Sequence, residues 1–146
     1  MMSPEPPLKI PVEVRYADID SLQHVNNARY FTFMEQARSR YFQKLDLWDG
    51  QTMEGLGVIL AQTSCNFLRP IRFTDRVWVE ARALQLGNKS FKMRYDIVDD
   101  EGKAFAQGEA TLVCYSYENE ETIPLPDDWR QRIENFEGRD RVAGQG

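Results

Sequence analysis

The apolar positions of this chain change their period partway along. From Ala28 to Leu45 they recur every three to four residues. Tyr30, Phe33, Met34, Ala37, Tyr41 and Leu45 share one stripe, with Glu35, Arg38, Ser39 and Lys44 elsewhere. That spacing predicts a helix. Phe31 and Phe42 add apolar surface beyond the stripe, so the helix is expected to be covered on more than one side. Asn26 stands where its side-chain oxygen can accept from the free amides of the first turn. Glu35 and Arg38, three apart, are expected to pair on the helix face.

Elsewhere the period is two. Lys9 to Tyr16 has the β-branched content of a short strand, and residues 58 to 68 predict another, stopped by Pro70. Between helix and strand, Asp49, Gly50, Gly55 and Gly57 read as a loop. Val77, Val79, Ala81 and Ala83 alternate with Trp78, Glu80 and Arg82. After Gly87-Asn88, Phe91, Met93, Tyr95 and Ile97 alternate with Lys92, Arg94 and Asp96, which predicts a hairpin. Asp99-Asp100-Glu101-Gly102 reads as the next reversal, with Gly102 free to take a positive φ. Residues 103 to 117 then put Ala104, Ala106, Gly108, Ala110, Leu112 and Cys114 on one face. Side chains that small would let a thick aromatic helix approach the sheet closely. After Pro124 and Pro126, Asp127 is placed to cap a short helix in which Trp129, Ile133 and Phe136 share a side and Gly138 is the stop.

A helix followed by several antiparallel strands predicts an α+β fold. One curved sheet of about five strands would wrap a long central helix, with a short C-terminal helix after it. The boundaries expected are a flexible lead over residues 1–8, a single domain over 9–137 and a flexible tail over 138–146. Exposed edges and an apolar outer face favour pairing of two sheets.

Composition narrows the function classes. The longest apolar stretch, around Gly57 to Ala61, is far too short to span a bilayer, and MMSPEPPLK lacks the apolar core of a signal peptide. Cys65 and Cys114 form no C-x-x-C pair and read as small buried hydrophobes in a reducing cytoplasm. The net charge of −5 argues against a general nucleic-acid binder. It hides an asymmetry, because from Arg69 to Arg94 seven basic residues face only Asp75 and Glu80. That window is either a guarded sheet edge or a surface for an anionic ligand.

The densest polar chemistry is YADIDSLQHVNNARYF, residues 16 to 31, which holds the only histidine just ahead of the predicted helix. A helix start offers unpaired backbone amides and a partial positive charge, which stabilise an anion or a developing oxyanion. Asp20 precedes Asn27 by seven residues, so the loop can return its carboxylate to that terminus. A carboxylate beside such an amide suits hydrolysis of an activated acyl group, by direct attack or by activating water. His24 is placed to position water or protonate a leaving group. Plainer roles exist for each residue: Asp20 as a turn residue bonding its own backbone, Asp18 as a partner of Arg15, His24 as a packed histidine, Asn26 and Asn27 as caps. Asp18-x-Asp20 lacks the glycine and terminal glutamate of a calcium loop, and one histidine with two separated cysteines makes no zinc site. Neither a metal nor another cofactor is expected.

These residues resemble a known family. Arg15-Tyr16-Ala17-Asp18-Ile19-Asp20, then His24-Val25-Asn26-Asn27, Tyr30, Glu35, Ala37 and Arg38 look like the start of hot-dog fold acyl thioesterases of the 4-hydroxybenzoyl-coenzyme A thioesterase type. Asn66 to Pro70, Asn88 to Phe91 and the I-P-L-P helix entry extend the likeness from about Val12 to Phe136. The resemblance implies an acyl-coenzyme A thioesterase in which Asp20 is the catalytic carboxylate and the Asn27 amide polarises the thioester carbonyl. It implies a homo-oligomer, dimer or tetramer, with active sites at the dimer interface. Arg69, Arg72, Lys89 and Ser90 are the positions it carries over for the coenzyme phosphates. Plant-type acyl carrier protein thioesterases share H-V-N-N with a functional histidine, which supports His24 as a helper. Their D-x-N-x-H is broken here by Leu22, and this chain has room for one of their two units. Two rivals stay open: a hot-dog hydratase or dehydratase, and a non-catalytic acyl-coenzyme A sensor.

Overall fold

The periodic segments become the strands and helices of a computed structural model that describes residues 7–48 and 56–138. Most of the expected lead, the tail from residue 139, and loop residues Asp49, Gly50 and Gly55 lie outside that range. In chain order the elements are β1 (Leu8–Val12), α1 (Asn27–Lys44), β2 (Leu56–Phe67), β3 (Val77–Leu86), β4 (Ser90–Val98), β5 (Ala104–Ser116), the two-residue β6 (Glu121–Thr122) and α2 (Asp127–Glu137). The strands form one antiparallel sheet in the order β1-β3-β4-β5-β2, with β6 on the end of β5.

Helix α1 touches β1 at one edge of this order and β2 at the other, as well as β3 and β4 between them. Five flat strands would span about 19 Å at ~4.8 Å spacing, well beyond one helix diameter. The sheet therefore curves around α1, the hot-dog arrangement that the resemblance implied. Its inner face is the alternating set expected: Val79, Ala81, Ala83, Phe91, Met93, Tyr95, Ile97, Ala106, Ala110, Leu112 and Cys114 are all buried. Gly108 explains how the layers meet, since a Cβ there would overlap the Met34 sulfur of α1 and press on the Ser64 carbonyl.

The second side of α1 is covered by α2. Phe42 meets Trp129 at 6.2 Å and Tyr41 meets Phe136 edge-on at 5.6 Å. One contact there has no counterpart in the hydrophobic pattern. Glu137, on the last turn of α2, is 1% exposed and accepts from the Tyr41 hydroxyl at 2.5 Å and the Ala83 amide at 2.9 Å. β1 pairs with β3 only from Val77 to Ala81, so the Ala83 amide lies past the end of that ladder and needs such an acceptor.

Four local expectations are corrected. The first strand ends at Val12 rather than Tyr16, because the carboxylate of Asp18 takes the Arg15 amide at 2.8 Å and winds Tyr16–Asp18 into a 3-10 turn. Gly57 belongs to β2 rather than the loop, and the Tyr117 ring occupies the space a Cβ would need. Pro126, with an extended backbone, takes the N-cap position of α2, so Asp127 is the first helical residue and adds favourable charge to the first turn instead of a cap bond. Arg38 does not pair with Glu35; its guanidinium donates to the Tyr95 hydroxyl at 3.1 Å, a buried partner that an exposed glutamate cannot match.

Candidate active site

The polar segment between β1 and α1 is fixed by backbone bonds before any side chain acts. Ile19 bridges Val25, the Asp20 amide donates to the His24 carbonyl at 2.9 Å, and the Gln23 amide returns to the Asp20 carbonyl at 3.0 Å. Gln23 takes the left-handed conformation at the tip, φ 69°. The Val25 amide is bonded to the Ile71 carbonyl and the Asn26 amide to the Asp18 carbonyl, both at 2.8 Å, which ties the loop to the chain after β2. Asn26 then caps α1 as expected, its side-chain oxygen accepting from the Ala28 amide at 2.8 Å.

The two aspartates divide into different roles. Asp18 is 1% exposed and holds Arg15 at 2.9 Å and Arg29 at 3.6 Å. Burial alone would raise its pKa, but the Arg15 side chain and amide, with Arg29, outweigh burial and hold it below the usual aspartate range. A carboxyl depressed in the folded state adds stability that is present above its unfolded pKa of about 3.9 and lost as pH falls through the lower folded value. The arginine partners are half exposed, so solvent screens much of the gain. Asp18→Asn is expected to flatten the acid limb of the denaturation midpoint between pH 5 and pH 2 (approximate bounds, from the same reference values). An acid limb identical to wild type would show that Asp18 is not the group responsible.

Asp20 is only partly buried, and one oxygen accepts from the Leu22 amide at 2.9 Å. The turn role expected of it is thus real, and the same carboxylate also faces a cleft. That cleft, about 460 Å³, is lined by Asp20, Leu22, His24, Val25, Asn26, Asn27, Tyr30 and the segment Phe67 to Pro70. The loop thus gathers Asp20, His24 and Asn27 at the exposed start of α1. The apolar half of the wall comes from Leu22, Val25, Phe67, Leu68 and Pro70. Tyr30 and that wall went unremarked as site residues. The signal available for Tyr30 was its position one helical turn after Asn27.

The basic positions are not gathered there. Arg69 lines the cleft, but its guanidinium donates to Asp99 at 2.6 Å and to the Ala104 and Lys103 carbonyls, and lies 3.9 Å over the Phe105 ring. Arg72 is exposed on the neighbouring turn, where its amide is held by Asp75. Lys89 and Ser90 stand at the opposite end of β4 from Asp99, about 30 Å of extended strand away. Arg76 and Arg94 are paired with Asp100 and Asp96, so with Arg69 three of the seven charges in the basic window are matched locally. Burial pushes both cysteine thiols up to about 11, which makes neither a ready nucleophile. Among the described residues no three His, Cys, Asp or Glu side chains gather as metal ligands, and no helix is long and apolar enough to cross a membrane.

Comparison with known proteins agrees with this fold. A family model described as the thioesterase-like superfamily matches residues 14–133. The chain is 28% identical to the long-chain acyl-CoA thioesterase FadM of Escherichia coli over 86% of its own length and 96% of that protein. It is 25% identical to the 1,4-dihydroxy-2-naphthoyl-CoA hydrolase of Thermosynechococcus vestitus, over 86% and 88% of the two chains. A solved thioesterase from Thermus thermophilus, complexed with coenzyme A and Zn, shares 38% identity with a TM-score of 0.76 over 90% of this chain and 95% of its own.

Proposed function

The chain belongs to the thioesterase-like superfamily and is an acyl-coenzyme A thioester hydrolase, and from that premise we propose that Asp20, His24 and Asn27 carry its chemistry. The observation that supports this assignment is the shared cleft, where one carboxylate, the only histidine and the first amide of an 18-residue helix meet. The thioester carbonyl oxygen is received by the Asn27 amide, where the helix dipole favours the charge that develops. Asp20 faces the carbonyl carbon as the base that takes a proton from attacking water, or as a nucleophile whose acyl anhydride water then hydrolyses to free acid and carboxylate. When the carbon–sulfur bond breaks, the thiolate leaves and is protonated, with His24 placed to help. A hydratase would leave free thiol unreleased, and a sensor would need no carboxylate there. Release of thiol from acyl-coenzyme A substrates of varied length and aromaticity tests the activity; no release from any of them would sink it.

The partner needed to complete the site is read from the sheet edges. Edge strand β1 carries Lys9 and Pro11, both of which discourage further pairing. The other edge, β2, runs twelve residues, LGVILAQTSCNF, with no charge and no proline, and leaves Ile59 and Leu60 exposed. A second copy pairing along β2 would cover this edge and the adjoining Phe67, which lines the cleft. It would also bring a second set of Arg72, Lys89 and Ser90 into reach of coenzyme phosphates, with the Arg69 side chain bracing the wall. We read the assembly as a dimer or tetramer, with residues 9–137 as the unit, in a reducing cytoplasm that keeps Cys65 and Cys114 as thiols. Leu60→Lys places a charge where about 1.5–3 kcal/mol of leucine burial is expected, so self-association should weaken roughly tenfold or more. Unchanged sedimentation of this variant would place the interface elsewhere.

A further inference from the structure

Tyr30 is only 2% exposed, yet it lines the cleft beside Asp20, His24 and Asn27. It stands three residues after Asn27 and so shares that residue's face of α1. Helical side chains lean toward the helix N-terminus, which carries the phenol toward the free amides rather than away from them. The ring is held from two sides, by Phe67 edge-on at 4.9 Å and by Phe33 at 6.4 Å. The backbone of Ile71, whose carbonyl receives the Val25 amide and anchors the loop, lies close to the phenol.

A tyrosine hydroxyl has one proton to give besides the lone pairs it offers. Among the described residues the hydroxyl donates that proton to no side chain or carbonyl, while its ring is held by Phe33 and Phe67. A buried, oriented donor at the mouth of a cleft is what a developing oxyanion requires.

We propose that the Tyr30 hydroxyl gives the thioester carbonyl oxygen a second hydrogen bond, beside the Asn27 amide, as that oxygen takes on charge. This role rests on the hydrolytic reading above and extends it by one residue. The hydroxyl keeps its proton throughout; it stabilises charge while Asp20 serves the attack. Burial above all, with the nearby carboxylates of Asp20 and Asp75, raises the phenol above its ordinary pKa and keeps the donor protonated.

The test is steady-state thiol release by Tyr30→Phe beside wild type, Asp20→Asn and Tyr95→Phe. Losing one oxyanion donor should lower kcat by about 100-fold with KM little changed. Tyr95→Phe removes another buried hydroxyl, one bonded to Arg38 outside the cleft, and should lower Tm while leaving kcat as it was. A Tyr30→Phe enzyme within twofold of wild-type kcat (an approximate margin, far inside the loss a donor implies) would overturn the proposal. If Asp20→Asn is fully active while Tyr30→Phe is not, the carboxylate assignment fails and this one stands. Should Tyr30→Phe not fold, 2,3,5-trifluorotyrosine at position 30 keeps the hydroxyl and makes it more acidic. The alkaline limb of its kcat profile should then move to lower pH, and an unmoved limb would overturn the proposal equally.

Discussion

Asp20→Asn is expected to lower kcat for thioester hydrolysis by about 10²–10⁴-fold while the protein stays folded. The two halves of that statement have separate causes. Asparagine keeps a side-chain oxygen, so the bond from the Leu22 amide survives, as do the backbone bonds between Asp20, Gln23 and His24. What disappears is the negative charge and the basic lone pair facing the cleft. A neutral amide neither attacks a thioester usefully nor takes a proton from water. Thermal unfolding should therefore shift little, within the roughly ±0.5 kcal/mol usual for substitutions that leave packing intact, while thiol release collapses. Full activity in this variant would remove Asp20 from the mechanism. A collapse of both activity and folding would instead mean that the turn, and not the charge, had been tested.

The largest stability effect is expected at Glu137, remote from the cleft. Glu137→Ala removes the acceptor for two buried donors, the Tyr41 hydroxyl and the Ala83 amide. Burial and then Glu137 push the Tyr41 hydroxyl well above its ordinary titration range, so it remains a donor that must be satisfied. An unsatisfied buried donor costs about 1–3 kcal/mol, so the loss should come to about 3 kcal/mol. Tyr41→Phe removes one donor, leaves the Ala83 bond, and should cost about 1 kcal/mol. Urea unfolding of both single variants and the double variant measures their coupling. Simple additivity would mean that the Tyr41–Glu137 bond contributes nothing to holding α2 on α1.

Several site features were legible in the chain because they are local. The Asn26 cap, the Asp18–Arg15 pair and the turn at Asp20 are all made within a few residues of sequence. Asp18 took a second partner, Arg29, only because the loop folds over the first turn of α1. Arg69 shows the opposite case. Its sequence neighbourhood reads as part of a free basic window, yet the β4–β5 turn brings Asp99 and two carbonyls to its guanidinium. No local pattern could have shown that, since Asp99 lies thirty residues on.

The sequence by itself determined the elements and their faces. A period near 3.6 fixes which side of α1 is buried, and a period of two fixes the inner face of β3, β4 and β5. Asn26 and Gly138 mark helix ends through backbone chemistry that needs no partner element. Tertiary structure alone decided which polar groups do work and which are spent. It buried Glu137 on the last turn of α2, set Tyr30 in the wall of the cleft, and placed Lys89 a strand's length from Asp99. The reason is physical: periodicity acts between neighbours in sequence, whereas a polar side chain's role is set by whatever charge, donor or solvent the folded chain brings within a few ångströms of it.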